Sequence, residues 1–518
     1  MTMRLAAMVA TMVAIVAAAV TPAFAVTPAQ AGAQSVAPAQ AGAQGVAPAQ
    51  AGAQSLDPGL RRDDERRRRD DEGRRRDDDR RLAFSIFKEL VEINTVTATG
   101  DTARAADAMA ARLRAAGFPQ QDIHVFKPAP RKGNLVARLH GSGGGRPIML
   151  LAHMDVVEAR REDWSTDPFK LTEKDGYLYG RGTGDDKFMA AAFVSSFIRY
   201  RKEGYTPQRD LILVLETDEE VGDRDAVGMR WLLGKHRDLI DAEYAINEGA
   251  GVALRGGKPY TVGVQTSEKV IMNYTLEVKS PGGHSSLPVK DSAITRLAQG
   301  LTRLGAYDFP VQWNETTRLY FKRSGALNEG QLGRDMLAIL DAQPDPAAVQ
   351  RLAAMPQLNA QFRTTCVATL LEAGHAFNAL PQLARATVNC RILPGEPIDE
   401  VQKTLVRVVD DERIEVKPQW GGMPSPPSPL RPDLVAAVEK LGAEFWPGAI
   451  VLPTMVAGGT TGAFLRSAGM PTYGHSGLAY HFEEPSRAHG KDERILVKSF
   501  HEGNEYLYRL VKLLAGGQ

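Results

Sequence analysis

The sequence predicts an α/β fold, a mostly parallel sheet covered by helices, with a smaller α+β domain inserted into it. Three observations carry this expectation. Short, wholly apolar runs such as "PIMLLAHMD" and "DLILVLETDEE" alternate with helical spacings such as "KFMAAAFVSSFIRYRKEG", the pattern of a parallel sheet buried on both faces. From "VIMNYTLEVKS" to about "DERIEVKP" the texture changes to alternating strands and amphipathic helices, which marks a second core. The apolar runs end in polar residues, His153, then Glu219 with Glu220, then Glu248, and open α/β sheets bind ligands at the carboxyl ends of their strands.

In chain order, "MTMRLAAMVATMVAIVAAAVTPAFA" has an early Arg4, a short Ala-rich apolar centre and "AFA" ending at Ala25. That pattern predicts a signal peptide over residues 1–25 and a periplasmic or secreted protein, with no stable membrane anchor after cleavage. The ten-residue repeat built on "VAPAQAGAQ" and the tract "RRDDERRRRDDEGRRRDDDRR" lack apolar periodicity, so residues 26–81 are expected to form a disordered low-complexity leader. The α/β domain then occupies 82–266 and 419–518, interrupted by the insert over 267–418.

Composition narrows the function. Lys and Arg number 63 against 62 Asp and Glu, so no global field draws the chain to nucleic acid, and no nucleic-acid partner is expected. Two cysteines, Cys366 and Cys390, exclude a disulfide framework and a zinc–thiolate cluster. They are either one bridge or two small apolar residues in neighbouring strands.

"ETDEEVG" crowds Glu216, Asp218, Glu219 and Glu220 at the end of a buried strand, where unpaired carboxylates take up protons or find cations. "LLAHMD" adds His153 and Asp155, "YLYGRGTGDD" adds Asp185, and "YAINEG" adds Glu248. One histidine among several carboxylates, without cysteine, suits zinc or another divalent metal. Taken singly, each piece also fits an ordinary role: a core histidine, acids at a helix N-terminus, a turn aspartate.

"HMDVV", "WSTDPF", "DGYLYGRGTGDD", "ETDEEVG", "NEG", "PGGHSSLP", "FNALPQLARATVNCRILPG" and "RAHGKDERI" follow one another from about residue 85 to the C-terminus. In these motifs the chain resembles the di-zinc metallopeptidase family numbered twenty, which includes aminoacylases, carnosine dipeptidases, bacterial dipeptidases and Gly-X carboxypeptidases. The resemblance implies a zinc-exopeptidase-like catalytic domain with the insert as a lid or dimerisation domain. It implies two Zn2+, with Co2+ or Mn2+ as alternatives, held by His153, Asp185 as the bridge, Glu220, Glu248 and His489. His481 competes for the last position, and the spacing in "HGKDERI" favours His489. Glu219 is cast as general base and Asp155 as the partner that orients the His153 imidazole. His284 becomes an oxyanion donor from the insert, and Asn378 and Arg391 bind the substrate amide and free carboxylate.

The implied activity is hydrolysis of amide bonds in small peptides or N-acyl amino acids, by a monomer or by a homodimer formed through the insert. Two departures stand out: Phe188 in "DDKF" where relatives often have glycine, and Thr461 in "GGTT" where they often have aspartate. Neither removes a ligand. A non-catalytic binding protein on the same fold requires a lost base or ligand, and the sequence has neither loss. A serine hydrolase requires a GxSxG elbow, and "GHSGL" lacks its final glycine.

Overall fold

The computed structural model describes residues 58–517; the signal-like segment and the repeat lie outside the described residues. One mixed sheet takes eight strands in the order Ile123–Ala129, Lys132–Leu139, Leu211–Glu216, Ile148–His153, Tyr244–Arg255, Thr472–His481, Lys258–Glu268 and Ile450–Val456. Its centre, from Leu211–Glu216 to Thr472–His481, is parallel. The strands at the Ile123 edge are antiparallel.

Every residue of Ile148–His153 and Leu211–Glu216 is buried, because each strand is covered on both faces. Leu150 joins a core shared with helices Thr102–Ala115, Lys187–Glu203 and Val497–Ala515. Its neighbours Met149 and Leu151 point the other way, towards Met229, Leu232 and Leu465, as the two-residue period of a strand demands. Phe188 meets Phe500 edge-on with ring centroids 5.9 Å apart. It also fills the notch at Gly503, where an added Cβ would stand 2.8 Å from its ring. This departure is therefore a packing pair.

A second sheet is wholly antiparallel, in the order Thr365–Ala373, Leu383–Ile392, Val270–Lys279, Ile414–Gly421. Helices Ala293–Gly305 and Ile398–Val409 pack with it into a separate core. Cys366 stands directly opposite Cys390 across the first pair of strands, and the two form a disulfide. Four helices between Glu315 and Phe362 have their own small core around Phe321. They are fastened to the large sheet, through Arg323 to the Val451 carbonyl at 2.7 Å and Gln361 to the Met455 carbonyl at 3.1 Å.

The expected disordered leader gives way, over residues 58–81, to a helix that runs unbroken from Pro58 to Glu92. Arginine is a good helix former, and opposite charges three or four positions apart pair along one face: Asp71 with Arg74, and Asp78 with Arg81 at 2.5 Å. Such exposed pairs contribute little alone. The helix is held by packing further on, where Ile86, Phe87 and Leu90 are fully buried, and Asp79 pairs with Arg199 at 3.1 Å. No helix among the described residues is long and apolar enough to cross a membrane.

One core histidine sets a pH dependence. His475 is buried, with Nδ1 donating to the Gly263 carbonyl at 2.7 Å and Nε2 accepting from the Tyr506 hydroxyl at 2.6 Å. Burial lowers its pKa to about 4, so the unfolded chain binds a proton below about pH 6.5 that the folded chain refuses. Between pH 7.5 and 5 this one group should lower unfolding stability by about 2 kcal/mol. Urea unfolding at both pH values checks this; a His475→Asn protein should show the smaller loss.

Candidate metal centre

Each side chain of the centre is delivered by a strand end or by a loop that a neighbouring strand fixes. His153 closes Ile148–His153 and pairs in register with Glu216, the last residue of the adjacent parallel strand. The chain then turns at Asp218, with φ of 65°, into a short 3-10 turn carrying Glu219 and Glu220. Glu248 lies on Tyr244–Arg255 just beyond the residues that pair with Ile148–Leu150. Asp185 comes from the loop after Tyr177–Tyr179, and His489 from the loop before Arg494–Leu496. Those two short strands pair antiparallel, Arg494 opposite Tyr179, which lays the loops side by side.

The result is two donor groups that share Asp185: His153, Asp185 and Glu248, and Asp185, Glu220 and His489, with the ligand atoms of each group within 4.8 Å of one another. His153 Nε2 is 3.0 Å from Asp185 Oδ1 and 3.8 Å from Glu248 Oε2. His489 Nε2 is 3.2 Å from Asp185 Oδ2 and 2.8 Å from Glu220 Oε2. Of the two candidates for the fifth position, His489 lies in the second group and His481 in neither. His489 holds a left-handed backbone, φ 62°, a conformation sparsely populated without glycine and kept only where surroundings enforce it.

The electrostatics are those of a site made for positive charge. Burial pushes the Glu219 carboxyl well up, and the charge on Glu248 adds to it. Burial opposes charging of His153, yet Glu248, Asp155 and Asp185 outweigh it and hold the imidazole well above its ordinary value. Hydrogen bonds to Asp185 and Glu220 raise His489 to about 10. Buried Asp186 Oδ2 and Asn247 Nδ2, next in the chain to Asp185 and Glu248, have no hydrogen-bond partner. One imidazole and two carboxylates in each group, with no thiolate, fit a divalent cation that accepts nitrogen and oxygen ligands.

The expected part of Asp155 is divided differently. His153 Nδ1 donates to the Asp155 main-chain carbonyl at 3.0 Å, which leaves Nε2 facing the acids. The Asp155 carboxylate stands 3.7 Å from Nδ1 and instead accepts from the Glu219 amide at 3.2 Å, the Glu220 amide at 3.1 Å and the Thr97 hydroxyl at 3.2 Å. Amide donors to a buried carboxylate make strong, charge-assisted bonds, so the side chain fixes the turn that bears Glu219 and Glu220. The main chain orients the imidazole.

Three expected residues lie in the insert and are not brought into the cluster. His284 is exposed, its Nδ1 accepting from the Ser286 amide at 3.1 Å. It sits beside Asn378, whose carbonyl accepts from the Ser285 amide at 3.0 Å. Arg391 donates to the Ala457 carbonyl at 3.2 Å, a loop of the large-sheet domain, and to Asn389 Oδ1 at 3.1 Å. Thr461, the second departure, is buried beside Glu216 and lowers the pKa that burial otherwise raises there.

Residues 149–513 match the model of Peptidase family M20/M25/M40. Human N-fatty-acyl-amino acid synthase/hydrolase PM20D1 is 28% identical over 373 residues, 71% of this chain and 74% of the relative. Among solved structures, the M20 family metallo-carboxypeptidase Sso-CP2 from Sulfolobus solfataricus superposes with a TM-score of 0.62 at 18% identity, covering 84% of this chain and 99% of the other. The Bacillus subtilis YXEP protein, described as a dinuclear metal binding peptidase, gives a TM-score of 0.53 at 12% identity over 85% and 99%.

Proposed function

This chain belongs to peptidase family M20/M25/M40, and from that premise we propose that it is a secreted or periplasmic di-zinc hydrolase cleaving the amide bonds of small peptides or N-acyl amino acids. The observation that carries the reading is the pair of donor groups joined through Asp185, with Glu219 beside them and in neither. His153 and Glu248 would hold one ion, Glu220 and His489 the other, and Asp185 both. When bound, two divalent cations supply Lewis acidity towards a carbonyl oxygen and lower the pKa of water.

The remaining work falls to the chain's own groups. Glu219, its amide pinned by Asp155, takes the proton of the attacking water and passes it to the leaving nitrogen. Arg391 pairs with a free substrate carboxylate in the two-pronged geometry a guanidinium offers, and Asn378 binds the amide. His284 completes the site when the insert closes or when a second subunit presents it.

Substrate class rests on the relatives: one is named for N-fatty-acyl amino acids and a structural neighbour for carboxypeptidase activity, and both classes carry the free carboxylate that Arg391 fits. The compartment rests on the signal-like N-terminus and on the Cys366–Cys390 bridge, a bond of oxidising surroundings. A homodimer through the insert is supported by the edge strand Thr365–Ala373, which exposes Val367, Leu370 and Leu371.

Chelation tests the reading. Exhaustively chelated protein should lose hydrolysis of a panel of dipeptides and N-acyl amino acids and regain it with Zn2+, Co2+ or Mn2+. Its thermal midpoint should rise with added metal, because the ion binds the folded chain. Undiminished turnover after chelation would end the proposal.

A further inference from the structure

Glu493 has no part in the reading so far. It is 2% exposed, as is Arg181, and its two carboxylate oxygens are fully occupied. Oε2 accepts from Arg181 Nη1 at 2.7 Å and the Gly182 amide at 3.0 Å. Oε1 accepts from the Gly184 amide at 2.7 Å and from the amide of Asp185 itself at 3.2 Å. Its main-chain carbonyl accepts from the Gly180 amide at 3.1 Å. One carboxylate, 312 residues beyond Arg181 in the chain, thus gathers the backbone of the loop that ends in Asp185.

Arg181 carries the hold onward. Its Nη2 donates to the Gly490 carbonyl at 2.9 Å, the residue after His489, and its guanidinium lies over the Trp164 ring at 5.1 Å. Ser165 in turn binds Asp492 through both its amide, at 2.8 Å, and its hydroxyl, at 2.9 Å. Asp185 and His489 are therefore both presented by loops that depend on the Glu493–Arg181 pair. His153 and Glu248 stand on strands of the large sheet and make none of these contacts.

We infer that Glu493, acting with Arg181, is a positioning residue that acts unequally on the two halves of the centre: it sets Asp185 and the loop of His489, two of the three donors of the Asp185–Glu220–His489 group but only one of the three in the group that His153 and Glu248 anchor on the sheet. This rests on the metal-centre reading above and adds an asymmetry to it. The two sites differ in what supports them, so they differ in what weakens them. Losing an outer partner of a metal ligand typically lowers affinity about 10–100-fold, and here that loss should fall more heavily on the ion with two donors on the held loops than on the ion with one.

The test compares wild type with Glu493→Gln and with the double variant Arg181→Met/Glu493→Gln, which leaves no unpaired buried charge. Ions per chain are counted by elemental analysis across a series of buffered free Zn2+ concentrations, and the thermal midpoint of each metal-free protein is recorded. Expected is one ion needing about 10–100-fold more free Zn2+ and the other weakened clearly less, with the metal-free midpoint of the double variant close to wild type. Two ions bound with wild-type affinity in both variants would overturn the inference while sparing the centre. Equal weakening of both ions, with or without a fallen metal-free midpoint, would remove the asymmetry and overturn it too. A wild-type chain that binds no Zn2+ would instead remove the metal-centre reading, and this inference with it.

Discussion

Changing Glu219 to glutamine should lower kcat by about 10²–10⁴-fold, the contribution of a positioned acid–base group, equivalent to roughly 3–5 kcal/mol of barrier. Metal content should stay at two equivalents, because Glu219 belongs to neither donor group. The fold should persist as well: the contacts that fix this turn run from its amide to Asp155, and glutamine keeps that amide. What glutamine loses is the ability to take a proton from water and return it to nitrogen. Steady-state kinetics beside elemental analysis gives the answer, and an unchanged kcat with full metal would assign the proton transfer to another group.

The second large effect concerns Asp185. Its two oxygens face different histidines, Oδ1 towards His153 at 3.0 Å and Oδ2 towards His489 at 3.2 Å. Asp185→Ala takes one donor from each group at once. Both ions should be weakened by more than the roughly 10–100-fold that an outer-shell loss costs, and hydrolysis should fall to background at micromolar metal. The metal-free protein offers an independent readout. His489 owes its elevation to about 10 first to its hydrogen bond with Asp185 and then to Glu220, so its pKa, followed by NMR, should drop in the variant. A protein that still binds two ions tightly would show that Asp185 is not the shared ligand.

These effects attach to residues that the bare sequence already singled out, and the reason is physical. A short, wholly apolar run bounded by turn residues fits a strand buried on both faces, so a polar residue at its end is conspicuous; His153, Glu219, Glu220 and Glu248 all stand out this way. Asp185 and His489 lie on loops with no such flag, and they came from motif order instead. The Glu493–Arg181 pair was present in the quoted motifs but unassigned, because its meaning depends on Arg494 pairing with Tyr179, a register no local pattern encodes. The helix through the Arg/Asp tract departs from the expectation for a different reason. Composition argued that the tract could not bury a core, which is true, but its helix is continuous with one that does, through Ile86, Phe87 and Leu90. Asp155 shows a third limit: the spacing of two residues from His153 was informative, while the choice between main chain and side chain as the imidazole's partner was not.

The pairing of Arg494–Leu496 with Tyr177–Tyr179 has a temporal consequence. A ribosome that has released the chain only as far as residue 480 has already supplied His153, Asp185, Glu219, Glu220 and Glu248, yet the loop bearing Asp185 still lacks the strand and the carboxylate that shape it. On the proposed reading the centre is therefore completed only once residues 489–496 have been made, and a chain stopped before them lacks a donor of the Asp185–Glu220–His489 group.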